Sequence, residues 1–415
     1  MESSNYTKLN SIWPLYIGVS SAVEVPRVLH IISGLDTGGA EMMLYKVLAQ
    51  SSGQSVKSKV ISLKTPGPIA EKIERAGFDV QTLHLGKGFW RPAICLPLLI
   101  WKTIRFRPSV IQGWMYHGNL FATVSSFFVS RHVILCWNIR QTLYDINREK
   151  IFTRWIIWLC KMLSDRPEYI LYNSSLSARQ HEDYGYRPDR RTIIFNGFQL
   201  EEFKSNPEIK SRVKKELSID SRYTIGHIAR FHPKKDHKTF FYAARRILEE
   251  IDDVTFGFIG RDVLFSNSVL SGYVKELDLD GKVRLLGERT DISRVLTAMD
   301  VIVSSSGWGE GFSNIIGEAM TAGCMCVVTD VGDSKDIVGD TGIVVPPKSV
   351  DRLAEGVIQV LRYSEEKRNE VSRRGRERII ENYSIEKITE QYLSIYRHEN
   401  NAMSYSDNKK KISSE

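Results

Sequence analysis

The stretch VIVSSSGWGEGFSNIIGEAMTAGCMCVVT, residues 301–329, decides the fold class. Val301–Ser304 is a short β-branched run typical of a buried strand, and a loop with glycines at 307, 309 and 311 follows it. Ser313 then suits the N-cap of a helix, and Cys326–Thr329 is typical of a second buried strand. A strand, a glycine-rich loop, a helix and a further strand form the repeating unit of a parallel α/β sheet.

The same alternation of short apolar runs and longer amphipathic segments fills the chain, and it restarts near Asn196-Gly197. It predicts two doubly wound, Rossmann-like α/β domains, joined by a charged helical segment at Glu201–Leu217. Two further helices are predicted at 350–364 and 383–397. The predicted strands are Val28–Ile32, Lys59–Leu63, Val80–Leu83, Val110–Gln112, Val133–Trp137, Tyr169–Tyr172, Thr224–Ala229, Thr255–Ile259, Val283–Leu286, Val301–Ser304, Cys326–Thr329 and Gly342–Val345.

These patterns divide the chain into five parts. We predict a loose extension at 1–24, a first Rossmann-like domain at 25–200 and a second Rossmann-like domain at 201–380. A C-terminal helix at 381–400 is expected to pack back towards the first domain, and 401–415 is expected to be a solvated tail. No stretch reaches the ~18 apolar residues of a membrane span. Five cysteines without a C-x-x-C pair favour a reducing, cytoplasmic compartment over a disulfide or zinc framework.

Positive charge is concentrated in the first half of the chain. The net charge is +8, and residues 1–195 hold 24 Lys and Arg against 14 Asp and Glu. Seven of the eight tryptophans also precede residue 160, and Trp101, Trp155 and Trp158 lie in helical patterns beside cations. Two interpretations are open: these helices lie on an anionic membrane surface, at the inner face of the cytoplasmic membrane, or the tryptophans are core residues. No nucleic-acid module is recognisable, so a nucleic-acid partner is not predicted.

The glycine-rich loop has the chemistry of a nucleotide-sugar site. In open α/β sheets, ligands bind beyond the carboxyl ends of the strands, and a helix N-terminus there favours a diphosphate. Glu310 in the loop and Glu318 on the helix could each accept hydrogen bonds from a vicinal diol, one on a sugar and one on a ribose. By spacing alone, two solvated glutamates flanking a turn would fit as well.

The run E-G-F-S-N-I-I-G-E-A-M-T-A-G from Glu310 to Gly323 resembles the signature of the retaining glycosyltransferases of family 4, which have the GT-B fold. The resemblance covers residues 25–400 and implies two Rossmann-like domains facing across a cleft, with the acceptor bound by the domain at 25–200 and the nucleotide sugar by the domain at 201–380. It implies that Glu310 binds the donor sugar and that Glu318 binds the ribose. The backbone of Gly311, Phe312, Ser313 and Asn314 would face the sugar and diphosphate.

Further motifs follow other predicted strands. Arg230 and Lys235 match the family's Arg-x₄-Lys spacing, which implies binding of the diphosphate, although a basic surface loop would look similar; Lys234 is expected to be solvated. Gly38-Gly39 resembles the family's glycine loop after the first strand, and Gly287 its base-binding loop. Ala229 replaces the usual Gly, a mild departure.

Two residues of the first domain are assigned more narrowly. His117 lies in a predicted loop after a strand, where similar enzymes place a His near the anomeric carbon. Arg140 is assigned to the acceptor side or to phosphate, and Gln141 replaces the His usual beside it. With His117, the predicted catalytic residues are Glu310, Arg230 and Lys235.

The resemblance implies a retaining enzyme that transfers a sugar from a nucleotide diphosphate sugar, predicted to be a UDP-sugar. The expected acceptor is a glycan or lipid-linked saccharide in polysaccharide or lipopolysaccharide synthesis. Asp278-Leu-Asp280, the one D-x-D motif, precedes Gly281 in a predicted surface turn, so we predict no metal and no cofactor. Two alternatives remain: a non-catalytic nucleotide-sugar-binding membrane scaffold and a GT-B sugar-nucleotide epimerase.

Overall fold

A computed structural model describes residues 25–85, 91–203 and 207–399. The predicted extension at 1–24 and tail at 401–415 lie outside these residues. Within them the chain forms two parallel sheets, each covered by helices on both faces. None of the helices in these ranges is long and apolar enough to cross a membrane.

The first sheet has seven parallel strands in the order β3-β2-β1-β4-β5-β6-β7. Its strands are β1 (Arg27–Ile32), β2 (Lys57–Ser62), β3 (Asp79–Thr82), β4 (Val110–Trp114), β5 (Ile134–Ile139), β6 (Tyr169–Tyr172) and β7 (Arg191–Ile193). Its helices are α1 (Gly39–Ser51), α2 (Pro68–Arg75), α3 (Arg91–Phe106), α4 (Met115–Ser126), α5 (Ile151–Met162) and α6 (Ser175–Tyr184). One hydrophobic core lies under α1 and α2, and a second lies under α3 to α6.

The second sheet has six parallel strands in the order β10-β9-β8-β11-β12-β13. Its strands are β8 (Tyr223–Ile228), β9 (Val254–Ile259), β10 (Val283–Leu285), β11 (Val301–Ser304), β12 (Met325–Thr329) and β13 (Ile343–Val345). The helices of this half are α7 (Pro207–Glu216), α8 (His237–Leu248), α9 (Ser268–Glu276), α10 (Ile292–Leu296), α11 (Asn314–Thr321), α12 (Ser334–Val338), α13 (Val350–Leu361), α14 (Glu365–Tyr383) and α15 (Ile385–Tyr396). In both sheets the strand order reverses beside the first strand, between β1 and β4 and between β8 and β11, so each sheet has a crevice at that point.

The structure differs from the sequence prediction at three helices or strands. Helix α14 was not predicted, because its 19 residues bury only Gly375, Ile379 and Tyr383 and so carry almost no apolar periodicity. Strand β7 was missed because it is three residues long and half-exposed. The predicted connecting helix at Glu201–Leu217 is a 3₁₀ turn at Leu200–Phe203 followed by α7.

Helix α15 leaves the second half of the chain and packs on the first sheet. Its Ile388, Tyr392 and Leu393 lie in the core beneath α1. The crossing is fixed by main-chain bonds: Phe198 N–H donates to Tyr383 O (2.9 Å), and Ile385 N–H donates to Phe198 O (3.0 Å). The chain therefore passes between the domains twice at one place.

We expect Tyr392→Phe to destabilise the protein by about 2 kcal/mol. The Tyr392 hydroxyl accepts hydrogen bonds from Arg140 Nη1 and Asn138 Nδ2, both at 2.8 Å, and its loss leaves these buried donors short of a partner. Urea denaturation of the variant, compared with Tyr144→Phe at an exposed position, measures the effect. Equal midpoints for the two variants would contradict it.

Candidate functional site

The loops after β8 and β11 are hydrogen-bonded to each other across the crevice of the second sheet. Ser305 Oγ donates to Lys235 O (2.9 Å), and Gly307 N–H donates to Lys234 O (2.8 Å). Ser305 Oγ also lies 3.0 Å from Nε2 of the buried His227 on β8. The two loops thus form one platform on which the predicted donor-binding side chains stand.

An ion pair lies at the centre of this platform. Lys235 Nζ is 2.5 Å from Glu310 Oε1, and the Ser306 hydroxyl donates to the same oxygen at 3.4 Å. Glu310 is only 7% exposed, so Lys235 and Ser306 take the place of the water that its carboxylate has lost. The structure therefore brings together two of the predicted catalytic residues that lie 75 positions apart.

Two more cations surround the pair. Burial lowers the pKa of Lys234, Glu310 opposes that shift, and Lys235 and Arg230 add to it, so all three cations act at one place. Arg230 is exposed, and Lys234, predicted to be solvated, is half-buried beside Glu310. Three cations around one carboxylate leave net positive charge, which suits a diphosphate.

The start of helix α11 lies directly after this platform. Ser313 occupies the N-cap position, but its side chain makes no capping hydrogen bond. Gly309 has a φ of +69°, and a Cβ on Gly332 would lie 2.5 Å from Gly311 O, so both glycines are needed for the path of the loop. Asn314 is exposed, and Glu318 is half-buried one turn further along the helix.

The glycine loop of the first domain borders open space. Gly38 precedes α1 in an extended conformation, and a Cβ on Gly39 would meet nothing within 4 Å. Gly287, in the second domain, has a φ of +69°, and its carbonyl accepts a hydrogen bond from Gly260 N–H at 2.8 Å. These glycines stand at strand ends, where the sequence placed them.

His117 lies on a helix rather than in the predicted loop. Strand β4 continues to Trp114, and a positive φ of 62° at Met115 turns the chain directly into α4. Gly118 makes this possible, since a Cβ there would lie 2.5 Å from Ile31 O. Burial and nearby Lys64 lower the pKa of His117, which keeps the imidazole neutral at pH 7.

Contacts from the first domain reach the loop after β11. Thr142 Oγ1 donates to Gly309 O (3.3 Å), and Asn196 Nδ2 donates to Asn314 Oδ1. Arg140 donates to Asn196 Oδ1 and to Tyr392 OH of α15, so its guanidinium holds Asn196, which in turn bonds Asn314 of the second domain. Sequence reasoning missed Thr142 and Asn196, because such contacts depend on how the domains meet.

Asp333 forms a second link between the domains. Its carboxylate accepts hydrogen bonds from Ser175 N–H (2.8 Å) and Leu176 N–H (3.4 Å) at the start of α6, and its own N–H donates to Gly311 O (3.0 Å). Burial raises the pKa of Asp333 to about 6, although the two amide donors oppose the shift. Its position just after β12 was the one signal in the sequence.

We expect Asp333 to make stability depend on pH. The pKa of Asp333 is higher in the folded protein than in the unfolded chain. Between about pH 4 and pH 6 the folded protein therefore keeps a proton that the unfolded chain has lost. The free energy of unfolding consequently falls as pH rises through that range. Two pKa units correspond to about 3 kcal/mol. Urea midpoints at several pH values should show this slope in the wild type and in Asp330→Asn, an exposed control, but not in Asp333→Asn. Equal slopes in all three would contradict it.

Two family models match the chain: Glycosyltransferase Family 4 over residues 37–202 and Glycosyl transferases group 1 over 222–363. The chain belongs to this glycosyltransferase family. Its fold agrees, since the crystal structure of Anabaena Alr3699/HepE in complex with UDP matches with a TM-score of 0.77 at 20% identity, over 89% of this chain and 99% of that one. The two sheets are thus the two halves of a GT-B fold.

Curated relatives match over shorter ranges. N-acetyl-alpha-D-glucosaminyl L-malate synthase of Bacillus anthracis is 30% identical over 45% of this chain and 48% of its own. UDP-Gal:alpha-D-GlcNAc-diphosphoundecaprenol alpha-1,3-galactosyltransferase of Escherichia coli is 27% identical over 50% and 54%. The chain spans about half the length of these two relatives. Putative glycosyltransferase EpsF of Bacillus subtilis is 24% identical over 73% of this chain and 79% of its own.

Proposed function

We propose that this chain is a retaining glycosyltransferase that moves a sugar from a UDP-sugar to a hydroxyl group of a glycan or lipid-linked saccharide in bacterial cell-surface polysaccharide or lipopolysaccharide synthesis. The observation that carries the proposal is the Lys235–Glu310 pair at the crevice of the second sheet, facing contacts from the first domain. The family match supports transfer, and a fold neighbour solved with UDP supports the choice of nucleotide.

The pair suggests how a donor is held. The diphosphate of the donor would replace Glu310 as the ion partner of Lys235. Arg230, Lys234 and the start of α11 would lie around the diphosphate. Glu310, released from its partner, would accept hydrogen bonds from sugar hydroxyls. Glu318, one turn into α11, is proposed to bind the ribose. This exchange couples donor binding to the alignment of the sugar.

The proposed reaction is a front-face substitution. As the bond from the anomeric carbon to the diphosphate breaks, the acceptor oxygen forms its bond on the same face and its proton passes to a phosphate oxygen. Neutral His117, at the carboxyl end of β4, would border the sugar. The cations around Glu310 stabilise the leaving diphosphate, which is why we propose transfer without a metal ion.

A panel of nucleotide sugars tests the proposal. Release of nucleoside diphosphate is measured with and without EDTA, in the presence of a membrane lipid extract as the source of acceptor, and the anomeric configuration of the product is read by NMR. We expect release from a UDP-sugar that EDTA does not abolish and a product of retained configuration.

Other outcomes would replace the proposal. Binding without release, even with the extract, would indicate a scaffold, and interconversion of nucleotide sugars without an acceptor would indicate an epimerase. An inverted product or loss of activity in EDTA would overturn the mechanism.

A further inference from the structure

The outer surface of helices α3 and α5 is apolar and exposed. Trp101 is 58% exposed, Trp155 is 59% exposed and Trp158 is 43% exposed, so the interpretation of these tryptophans as core residues is wrong. We define the apolar face as the exposed large apolar side chains of α3, α5 and the segment just after α4. They are Leu98, Trp101, Ile104, Phe127, Phe128, Ile151, Phe152, Trp155, Trp158, Leu159 and Met162.

These side chains form continuous stripes. On α3 the exposed Leu98, Trp101 and Ile104 recur every three residues. Helix α5 buries Ile157 and Cys160 against the sheet and yet exposes apolar residues along its opposite side, so it is apolar on both sides. A surface helix normally turns a polar side to water, and an apolar outer side indicates a further, nonaqueous contact.

Most charged side chains around the apolar face are basic. No Asp or Glu occurs from residue 80 to residue 144, and helices α3, α4 and α5 contain none. Arg105, Arg154 and Lys161 lie on the two outer helices. The nearest acidic residues in sequence lie at the ends of α5, at Asp145, Glu149 and Asp165. This pairing of apolar and basic side chains suits the headgroup region of an anionic bilayer, where cations meet phosphates and tryptophans enter the interface.

A second copy of the chain is a poorer occupant. A two-fold symmetric dimer through this face would set its cations against the partner's basic and apolar side chains, without acidic residues on α3, α4 or α5 to offset them. An anionic lipid surface offsets them directly. The apolar stripes and the charge therefore point to the same partner.

The face reaches the site through the loop between β5 and α5. Thr142 in this loop donates to Gly309 O of the donor platform. Tyr144, two residues later, is 58% exposed, and Phe152, in the first turn of α5, is 80% exposed. This loop therefore connects the apolar face to the donor platform along a short stretch of chain.

We propose that the apolar face docks this enzyme on an anionic phospholipid bilayer, with the cleft opening beside the membrane so that a lipid-linked acceptor reaches the site from the bilayer. Delivery of a lipid-linked acceptor from the bilayer rests on the proposed function, whereas docking on the bilayer does not.

Flotation of the full chain with vesicles tests docking without donor or acceptor. Vesicles of phosphatidylglycerol and phosphatidylcholine, at about one to two, are compared with pure phosphatidylcholine. We expect tighter binding to the anionic vesicles, and about tenfold weaker binding for Phe152→Glu and for Arg105→Glu. Phe265→Glu and Arg245→Glu, exposed positions of the second domain, are the matched controls and should bind as the wild type does.

Several results would overturn the proposal. They are absence of binding to both vesicles, equal loss in the control variants, or a dimer in sedimentation that Phe152→Glu dissolves. UDP binding by each variant, measured in solution, reports an intact fold. Since it needs no vesicle, failure of docking and failure of the donor site are separate results.

Discussion

Lys235→Ala is expected to lower kcat/KM for sugar transfer by about 10³-fold. The lysine ammonium lies 2.5 Å from Glu310 and is the cation best placed to take charge from a departing diphosphate. Its effect is expected mainly on kcat, because charge on the leaving group develops in the transition state. Steady-state kinetics with the donor identified from the panel measure the loss.

The matched control is Lys238→Ala, which removes the same side chain from an exposed position three residues further along the chain. Activity of Lys235→Ala within about twofold of this control would remove Lys235 from the leaving-group site. The single variant also leaves the buried Glu310 carboxylate without its cation, which is costly by itself. The double variant Lys235→Ala with Glu310→Gln restores neutrality and separates this effect from catalysis.

The pair could be foreseen from the sequence because strand order places it. Arg230 and Lys235 follow the first strand of the second sheet and Glu310 follows the fourth strand, and these two strands are neighbours at the crevice. Short apolar runs and glycine loops were enough to place both strands. Parallel pairing then brings their carboxyl ends together whatever the sequence between them.

Contacts between the domains could not be foreseen in the same way. Asn196, Asp333 and Thr142 act through partners 118, 158 and 167 residues away, in the other half of the chain. No local periodicity encodes the angle at which two sheets face each other. The bond from Arg140 to Tyr392 is equally nonlocal, because it joins the first domain to a helix 252 residues further along the chain.

The hydrophobic pattern of a sequence also does not show whether an apolar helix is exposed. The residues of α5 fit a buried helix as well as a membrane-facing one, since both are apolar on all sides. The structure decides between them, because α5 packs on α4 and buries Ile157 and Cys160, but leaves Trp155 and Met162 uncovered. The absence of Asp and Glu from residue 150 to residue 164 was the available signal.

Glu310→Gln is expected to lower kcat/KM for transfer by about 10²-fold while leaving the binding of UDP unchanged or tighter. The substitution keeps the shape of the side chain but weakens its hydrogen bonds to the hydroxyls of the transferred sugar, a group that UDP lacks. It also removes a carboxylate that repels the diphosphate and competes for Lys235. Titration calorimetry with UDP, beside kinetics with the donor, distinguishes the two effects.

Glu318→Gln is the matched comparison, because the proposed ribose contact is present in UDP and in the donor alike. Glu318→Gln should weaken the binding of UDP and the binding of the donor to a similar extent, so that KM rises with little change in kcat. If Glu310→Gln weakened UDP as much as Glu318→Gln did, Glu310 would belong to the nucleotide rather than to the sugar. Because Lys235 and Glu310 share one contact, their two substitutions should also combine to less than the product of their separate effects. If the loss in the double variant equalled the product of the two separate losses, Lys235 would not exchange Glu310 for the diphosphate when the donor binds.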